Sequence, residues 1–272
     1  MKPDILFEDN HLIAVNKPAG LLTQGGMKGH PSLLDNLKKY IKKRDSKPGN
    51  VYLGMVHRLD KPVSGVIVFA KTSKAAKRLS ESIRKRNVLK IYAALTVDSK
   101  TSTGLSETWI KHQHYLLREH DTTVVGKQGD GGAQQALLQL KTLFSNGQYA
   151  FHLVHLVTGR KHQIRAQLSH LGLPICGDRK YGSEEVFSRH GIGLHALFFQ
   201  ASHPVREEDL KVLSLPPPQM YGCFSKTERA SIKSCLSTEC KCLAEMRANY
   251  PAIFSSDWQK GFPVIAFRPI DV

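Results

Sequence analysis

The segment that decides the fold is Val56-His57-Arg58-Leu59-Asp60-Lys61-Pro62-Val63-Ser64-Gly65-Val66-Ile67-Val68-Phe69-Ala70. Its second half, residues 66–70, has the length and composition of a buried strand. Pro62 and Gly65 indicate a loop before that strand. Asp60 is therefore predicted to lie on a loop that enters a core strand, which is a rigid place for a reactive carboxylate.

The sequence neighbours of Asp60 are cationic or titratable: His57, Arg58 and Lys61. Positive charge close to a carboxylate stabilises its ionised form. The same pattern also occurs in structural ion pairs, which are the more frequent explanation of a single charged loop of this kind. Whether Asp60 is catalytic therefore depends on the other segments of the chain.

Length and composition predict one large core. A chain of 272 residues with 41% hydrophobic residues can bury a sizeable core. The triple proline at 216–218 indicates a boundary, so we predict a main domain over residues 1–218 and a helical extension over residues 219–272. No apolar stretch is long enough to span a bilayer, and the N-terminal residues lack the apolar core of a signal peptide. The five cysteines are odd in number and irregularly spaced, which favours a reduced, cytoplasmic protein.

The charge of the chain is strongly positive. Thirty-nine Lys and Arg stand against 23 Asp and Glu, a net charge of +16. Residues 221–272 contribute seven basic and five acidic side chains, so residues 1–220 carry +14. Such a surface favours a polyanionic partner, of which nucleic acid is the commonest. No basic amphipathic helix with bulky apolar residues opposite is evident, so no membrane-surface role is expected.

Hydrophobic periodicity predicts both strands and helices. Predicted strands cover residues 5–8, 12–15, 66–70, 88–97, 136–144 and 149–157, and residues 194–200 form a strand or a short helix. Predicted helices follow the N-caps Ser32, Ser73 and Ser225, and another covers residues 161–170. Residues 98–133 are rich in turn residues and predict hairpins or a mobile surface loop. The helices after Ser32 and Ser73 each carry six basic residues, which favours phosphate contacts.

A second polar cluster lies at Thr158-Gly159-Arg160-Lys161-His162-Gln163-Ile164-Arg165. Gly159 permits a tight turn, and a helix after it would place His162 and Arg165 on one face, with Ile164 near them. The basic start of a helix after a strand can hold a phosphate or a carboxylate. Taken alone, the segment is as compatible with a surface helix as with a site.

Three segments together resemble one family. His57-Arg58-Leu59-Asp60, followed by Ser64-Gly65, is similar to the catalytic motif of the RluA-type pseudouridine synthases, which isomerise uridine in ribosomal and transfer RNA. Lys90-Ile91-Tyr92-Ala93-Ala94-Leu95 resembles their tyrosine motif, and residues 158–165 resemble their third motif. Further matches at residues 16–20, 177–182 and 194–196 extend the resemblance over residues 5–215 in the family's order.

The resemblance implies an α/β (α+β) fold with a central mixed, largely antiparallel sheet, flanking helices and an active cleft across one face. It also implies that neither a metal nor an organic cofactor is needed. By the same resemblance, Asp60 acts on the ribose, either as nucleophile or as the base that starts glycosidic cleavage. Tyr92 would stack on the target base and help to remove the proton from its ring carbon. Arg165 would pair with Asp60 and aim its carboxylate.

The other predicted site residues would contact the substrate. Ile164 would line the apolar floor, and Arg58 would fill the gap left in the RNA stack. His57, Arg160 and His162 complete the predicted substrate-binding set. This assignment suits the chemistry, because exchanging the attachment of a uracil requires the base out of its stack, in a tight pocket with an aromatic face.

The sequence departs from the family in a few places. Val63 stands where a threonine is most common; it keeps the β-branched shape, so we expect activity to survive. Residues 129–135 match poorly, which leaves their RNA contacts open. Because the resemblance begins near residue 5, no additional N-terminal RNA-binding module is expected. Cys235, Cys240 and Cys242 lack the spacing of a zinc site and are expected to pack within a helix.

Two other functions are weighed against the enzyme. An RNA-binding folding assistant of the same fold would not need the intact set Asp60, Tyr92 and Arg165. A metal hydrolase could use His112 and His114, which would share a strand face, but no nearby acid or cysteine completes a ligand set. The expected partner is ribosomal or transfer RNA, with no membrane, no obligate protein partner and a monomer as the default state.

Overall fold

A single mixed sheet organises the chain. A computed structural model of the protein describes residues 2–25, 31–98 and 106–249. The strands are β1 (Asp4–Glu8), β2 (Leu12–Lys17), β3 (Gly54–Met55), β4 (Ser64–Ala70), β5 (Val88–Val97), β6 (Ile110–Glu119), β7 (Thr122–Gly126), β8 (Gln134–Ser145), β9 (Tyr149–Leu156), β10 (Leu194–Ser202) and β11 (Asp209–Leu213). The helices are α1 (Leu33–Arg44), α2 (Ser73–Arg84), α3 (Gln163–His170) and α4 (Lys226–Asn249).

The strand order is β1-β2-β4-β10-β5-β9-β8-β6-β7, with β3 paired to β4 and β11 paired to β10. Among the described residues, only the short pairing of β4 with β10 is parallel. The expectation of a mixed, largely antiparallel sheet with flanking helices is therefore confirmed. β10, which comes late in the chain, fills the place between β4 and β5.

Helices cover both faces of the sheet. In β4, Ile67 and Phe69 point into the cluster that holds the apolar side of α1 and the residues Ile164 and Leu168 of α3. Val66 and Val68 point to the opposite face, toward α2. This explains the unbroken apolar run of β4, since a strand covered on both faces has no polar side.

The N-caps show where local sequence sets a boundary. Ser32 caps α1 as predicted, and its side chain and that of Asp35 form a reciprocal capping box. For α2 the predicted cap, Ser73, is wrong by one position. Thr72 has the extended backbone of a cap, and its hydroxyl accepts a hydrogen bond from the Ala75 N–H at 3.2 Å. Ser73 is instead the first residue of the helix.

The remaining elements resolve the open expectations. β10 is a strand over the segment that the sequence left between strand and helix. β6 and β7 form a hairpin within the turn-rich segment 98–133, while residues 99–105 lie outside the described part of the chain. β8 and β9 pair as the predicted hairpin. Among the described residues, no helix is long and apolar enough to cross a membrane.

The C-terminal helix packs against the sheet. α4 begins after the cap Ser225, as predicted, and the Ser225 hydroxyl accepts a hydrogen bond from the Glu228 N–H at 3.3 Å. Ile232 and Leu236 are buried with Phe151 of β9 in one cluster. Residues 250–272 of the predicted extension lie outside the described residues, and its division from residues 1–218 stays a prediction.

Candidate active site

A cavity of about 260 Å³ opens on the face of the sheet that carries α3. Most of its wall comes from three separate parts of the sequence: the loop before β4, the strand β5 and the segment 159–165. Ile83 of α2, Leu156 of β9 and Leu194 of β10 complete the lining. All eight predicted site residues line this cavity: His57, Arg58, Asp60, Tyr92, Arg160, His162, Ile164 and Arg165. The fold therefore gathers the three quoted motifs into one place.

Two basic side chains, those of Arg165 and His162, contact the Asp60 carboxylate. Its Oδ2 atom accepts a hydrogen bond from Nη1 of Arg165 at 3.3 Å. Nε2 of His162 lies 3.6 Å from the same oxygen. The Asp60 side chain is 26% exposed to solvent, so one side of the carboxylate faces the open cavity. Both partners contact Oδ2, which leaves Oδ1 for a substrate.

Arg165 is held by a second carboxylate behind it. Its Nε and Nη2 atoms donate to the two oxygens of Asp178, each at 2.7 Å, in a bidentate pair. Both side chains are buried, and the Arg165 guanidinium lies over the ring of Tyr181 at 4.7 Å. A planar guanidinium fixed on two sides has one remaining direction, which points at Asp60.

His162 is fixed in a similar way. It precedes α3 with a left-handed backbone, φ 51°, which turns its ring back toward the cavity. The Tyr181 hydroxyl accepts from the Thr123 N–H at 3.0 Å and lies 2.8 Å from His162 Nδ1. With that hydroxyl donating to Nδ1, the ring proton lies on Nε2, toward Asp60.

Electrostatics favours a neutral His162. Burial lowers the pKa of its imidazole; the Asp60 charge opposes this shift, whereas the positive charge of Arg165 adds to it. Arg165 is therefore the permanent cation beside Asp60, and His162 acts there as a neutral N–H group at physiological pH.

Tyr92 and Ile164 form the apolar wall. Tyr92 is 7% exposed and belongs to the same buried cluster as Ile164. Burial, together with the nearby charge of Asp60, raises the pKa of the Tyr92 phenol, so the hydroxyl is protonated throughout the physiological range. The pair offers a flat aromatic surface and an aliphatic one for a planar ring.

The loop that carries Asp60 is tied down along its length. The Val63 N–H donates to the Asp60 carbonyl at 3.1 Å. Leu59 exchanges hydrogen bonds with the Thr23 hydroxyl at 2.8 and 3.3 Å. The buried Lys17 ammonium donates to the Lys61 carbonyl at 3.2 Å, and burial lowers the pKa of that ammonium to about 7 while Asp60 opposes the shift. These contacts set the position of the carboxylate before any substrate binds.

The His57 ring makes its contacts within the protein. Its Nε2 accepts a hydrogen bond from the Val68 N–H at 3.0 Å, and its ring stacks on Phe199 at 5.2 Å. Burial lowers its pKa to about 3. One ring nitrogen is therefore not available for substrate, and the predicted substrate contact stays a prediction. Arg58 and Arg160 are exposed at the rim; Arg160 Nε also donates to the Gln135 carbonyl at 3.2 Å.

Sequence reasoning missed the support behind the site. The family resemblance at residues 177–182 predicts no role for Asp178 or Tyr181. The sequence offered one signal, the Gly177-Asp178 pair, because a glycine turn can direct the carboxylate that follows it into the protein. In the structure Gly177 does have a turn conformation, with φ 81°. Nothing local indicates that this carboxylate meets Arg165, thirteen positions earlier in the chain.

His112 and His114 are the histidines considered above as possible metal ligands. His112 and His114 share a face of β6 as expected, with ring centroids 6.4 Å apart. Gln167 contacts His114 Nδ1 at 2.8 Å. Within the described ranges, no group of three or more potential ligands could hold a metal ion. His203 is buried outside the cavity, with its Nε2 3.0 Å from the Asp9 carboxylate.

Comparisons with known proteins agree with this geometry. The family model described as RNA pseudouridylate synthase matches residues 11–170. The uncharacterized RNA pseudouridine synthase YhcT of Bacillus subtilis is 36% identical, over 79% of this chain and 68% of that protein. The tRNA pseudouridine synthase C of Haemophilus ducreyi is 30% identical, over 83% of this chain and 96% of that protein. The ribosomal large subunit pseudouridine synthase D of Xylella fastidiosa is 30% identical, over 94% of this chain and 73% of that protein.

A solved structure shows the same fold. Human RNA pseudouridylate synthase domain containing 4 superposes with a TM-score of 0.64 at 26% identity, covering 80% of this chain and 90% of that chain.

Proposed function

The chain belongs to the RNA pseudouridylate synthase family, and from this premise we propose that Asp60 is the residue on which its uridine isomerisation depends. The protein is an RNA pseudouridine synthase, an isomerase. The observation that carries the proposal is the convergence of Arg165 and His162 on one oxygen of the Asp60 carboxylate, in a cavity walled by Tyr92.

The reaction explains why these groups are placed together. Uridine becomes pseudouridine when the N1–C1′ bond breaks, the uracil turns, and C5 bonds to C1′. The C5 proton is then lost and N1 gains one, so atoms and electrons balance without a co-reactant. Asp60 acts at the ribose in this scheme, either by bonding to C1′ or by removing a proton that starts the cleavage.

The walls of the cavity keep the detached base in place. Tyr92 and Ile164 would hold the uracil between an aromatic and an aliphatic surface while it turns. Tyr92 would also assist removal of the C5 proton. Because its phenol is protonated throughout the physiological range, Tyr92 would not act as a phenolate base, and its hydroxyl would instead position a water that accepts the C5 proton. Arg165 would orient the Asp60 carboxylate through the hydrogen bond between them.

We further propose that the substrate is ribosomal or transfer RNA, bound in the cytoplasm by a monomer. This substrate class is supported by the similar proteins, since one is named as a synthase for transfer RNA and another as a synthase for the large ribosomal subunit. The net charge of +16 supports binding to a polyanion. Arg58 and Arg160 at the rim are placed to meet the RNA, with Arg58 entering the stack from which the base has left.

The decisive experiment is pseudouridine mapping of total RNA from cells with and without this protein. We would add back the wild type, Asp60→Asn and the control Asp121→Asn, whose carboxylate is exposed in the β6–β7 turn. Sites that disappear and are restored by the wild type and the control, but not by Asp60→Asn, are the expected result.

Three outcomes would contradict the proposal. Restoration by Asp60→Asn would exclude Asp60 as the catalytic residue. If no site disappears, the RNA-binding folding assistant becomes the better explanation. Loss of RNA affinity in Asp60→Asn would also be unexpected, because a carboxylate does not bind phosphate.

A further inference from the structure

Lys90 is a buried cation in the cavity wall. Its side chain is 9% exposed and lines the cavity, yet across residues 2–25, 31–98 and 106–249 it makes no hydrogen bond or ion pair. It lies on β5 two positions before Tyr92, so both side chains leave the same face of the strand. Lys90 carries no role in the site described above.

An ammonium in this position is costly for the free protein. Burial lowers the pKa of Lys90 to about 8, with no compensating carboxylate. Asp60 is the only acid among the described residues that line the cavity, and it already contacts Arg165 and His162. Buried charges are normally paired, so an unpaired one directed into a binding cavity indicates an anionic ligand.

The surroundings of Lys90 fit a phosphate. A Cβ placed on Gly159 would lie 3.7 Å from the Lys90 Nζ, so the glycine leaves space next to the ammonium. Arg58 and Arg160 line the same cavity. Side chains two positions apart on a strand are separated by about 6.6 Å, which is comparable to the distance from a base to the phosphate of its own nucleotide.

We propose that Lys90 binds a phosphate group adjacent to the nucleotide whose base lies on Tyr92. This inference rests on the proposed function, because it needs an RNA base in the cavity. The phosphate supplies the negative charge that the protein lacks at this point. Lys90 thereby sets the depth to which the target nucleotide enters, through its backbone and not through its base.

The test is a binding cycle with a modified RNA. The probe is a stem–loop RNA whose loop carries the uridine assigned by the mapping experiment. Affinity is measured in the Asp60→Asn background, so that the probe is not converted. Lys90→Met is compared with Lys211→Met, which removes an equal charge from the exposed side of β11.

Lys90→Met is expected to weaken binding ~10-fold or more, as for loss of a charged hydrogen bond. It should also reduce the slope of log affinity against log salt by about one, as for loss of one phosphate contact. Lys211→Met should change neither quantity. Replacing the phosphates next to the target one at a time by neutral methylphosphonate should remove the effect of Lys90→Met at one position.

Several results would overturn the inference. An unchanged salt slope with weaker binding would indicate a contact to the uracil. A methylphosphonate series without coupling at any position would exclude a phosphate partner. A lower melting temperature of Lys90→Met would indicate a structural role, whereas removal of an unpaired buried charge should leave the melting temperature equal or higher.

The same samples separate this inference from the proposed function. If the wild type forms no pseudouridine in the probe RNA, the proposed function has failed. If it does, and Lys90→Met shows no coupling to a phosphate, only the role of Lys90 has failed.

Discussion

Replacing Asp178 by Asn should strongly reduce the activity of the enzyme, although Asp178 itself is not in contact with the substrate. Asp178 accepts two hydrogen bonds from Arg165, each at 2.7 Å, and both side chains are buried. Asn keeps the shape but carries no charge and offers one acceptor in place of two. Its NH₂ group would face an N–H of Arg165, donor against donor. We expect Arg165 to move and its contact with Asp60 to be lost.

The magnitude follows from these contacts. Removing one partner of a buried ion pair costs about 3–5 kcal/mol of folding stability. Because Asn retains one of the two hydrogen bonds, we expect Asp178→Asn to lose about 2–3 kcal/mol. A reacting group misplaced by ~1 Å typically costs ~10²-fold in rate. The value of kcat for Asp178→Asn should therefore fall about 10²-fold, while the RNA Kd stays within about twofold, because Asp178 lies behind Arg165 and is 2% exposed.

The assay is release of tritium from RNA labelled at C5 of uridine, at a temperature where circular dichroism shows the variant folded. Asp9→Asn is the matched control, because the Asp9 side chain is only 7% exposed and contacts His203 and Arg206 outside the cavity. It should lose stability to a similar degree and keep its kcat.

Three results would contradict a role of Asp178 in holding Arg165. The first is a wild-type kcat for folded Asp178→Asn. The second is an equal loss of kcat in Asp9→Asn, which would show that reduced stability alone explains the effect. The third is a large further loss of kcat when Asp178→Asn is added to an Arg165→Met background. If Asp178 acts through Arg165, this double-mutant cycle should show little further loss.

Two further predictions concern stability. Gly65→Ala should destabilise the protein by at least about 2 kcal/mol, because Gly65 has φ 113° and a Cβ there would lie 2.3 Å from the Ala196 carbonyl oxygen; an unchanged urea midpoint would contradict this. Acid should destabilise the protein through two buried histidines, because burial lowers the pKa of His152 to about 3 and that of His195 to about 4. The unfolded chain binds these protons near pH 6.5 and the folded chain does not, so stability is present above pH 6.5 and is lost as the pH falls toward 4. Each group should contribute about 2 kcal/mol of loss between pH 7 and pH 5, and urea unfolding at the two pH values measures it.

The segment around Asp60 shows how far local sequence reaches. The apolar run after Gly65, the turn residues before it and the capping serine of α1 each specify their own conformation, because backbone propensity and hydrophobic period act over a few residues. For the same reason β5 and the β8–β9 hairpin begin and end close to their predicted bounds. The motifs themselves also identified the residues that line the cavity.

Contacts between distant parts of the chain were not predictable in this way. The cap of α2 is a small example: Thr72 and Ser73 are both good caps, and the path of the chain after β4 selects Thr72. The insertion of β10 between β4 and β5 is a larger one, because strand pairing depends on which faces become buried together and not on either sequence alone.

The sequence by itself determined the family, the kind of element at most positions and the identity of the groups around the carboxylate. Only the tertiary structure decided how those groups are held. Asp178 and Tyr181 brace Arg165 and His162 because a turn after α3 returns to its start. Among the described residues, the fold places no acid beside Lys90, which therefore has no partner there. Electrostatic energies depend on distances across the fold, and a sequence contains no distances.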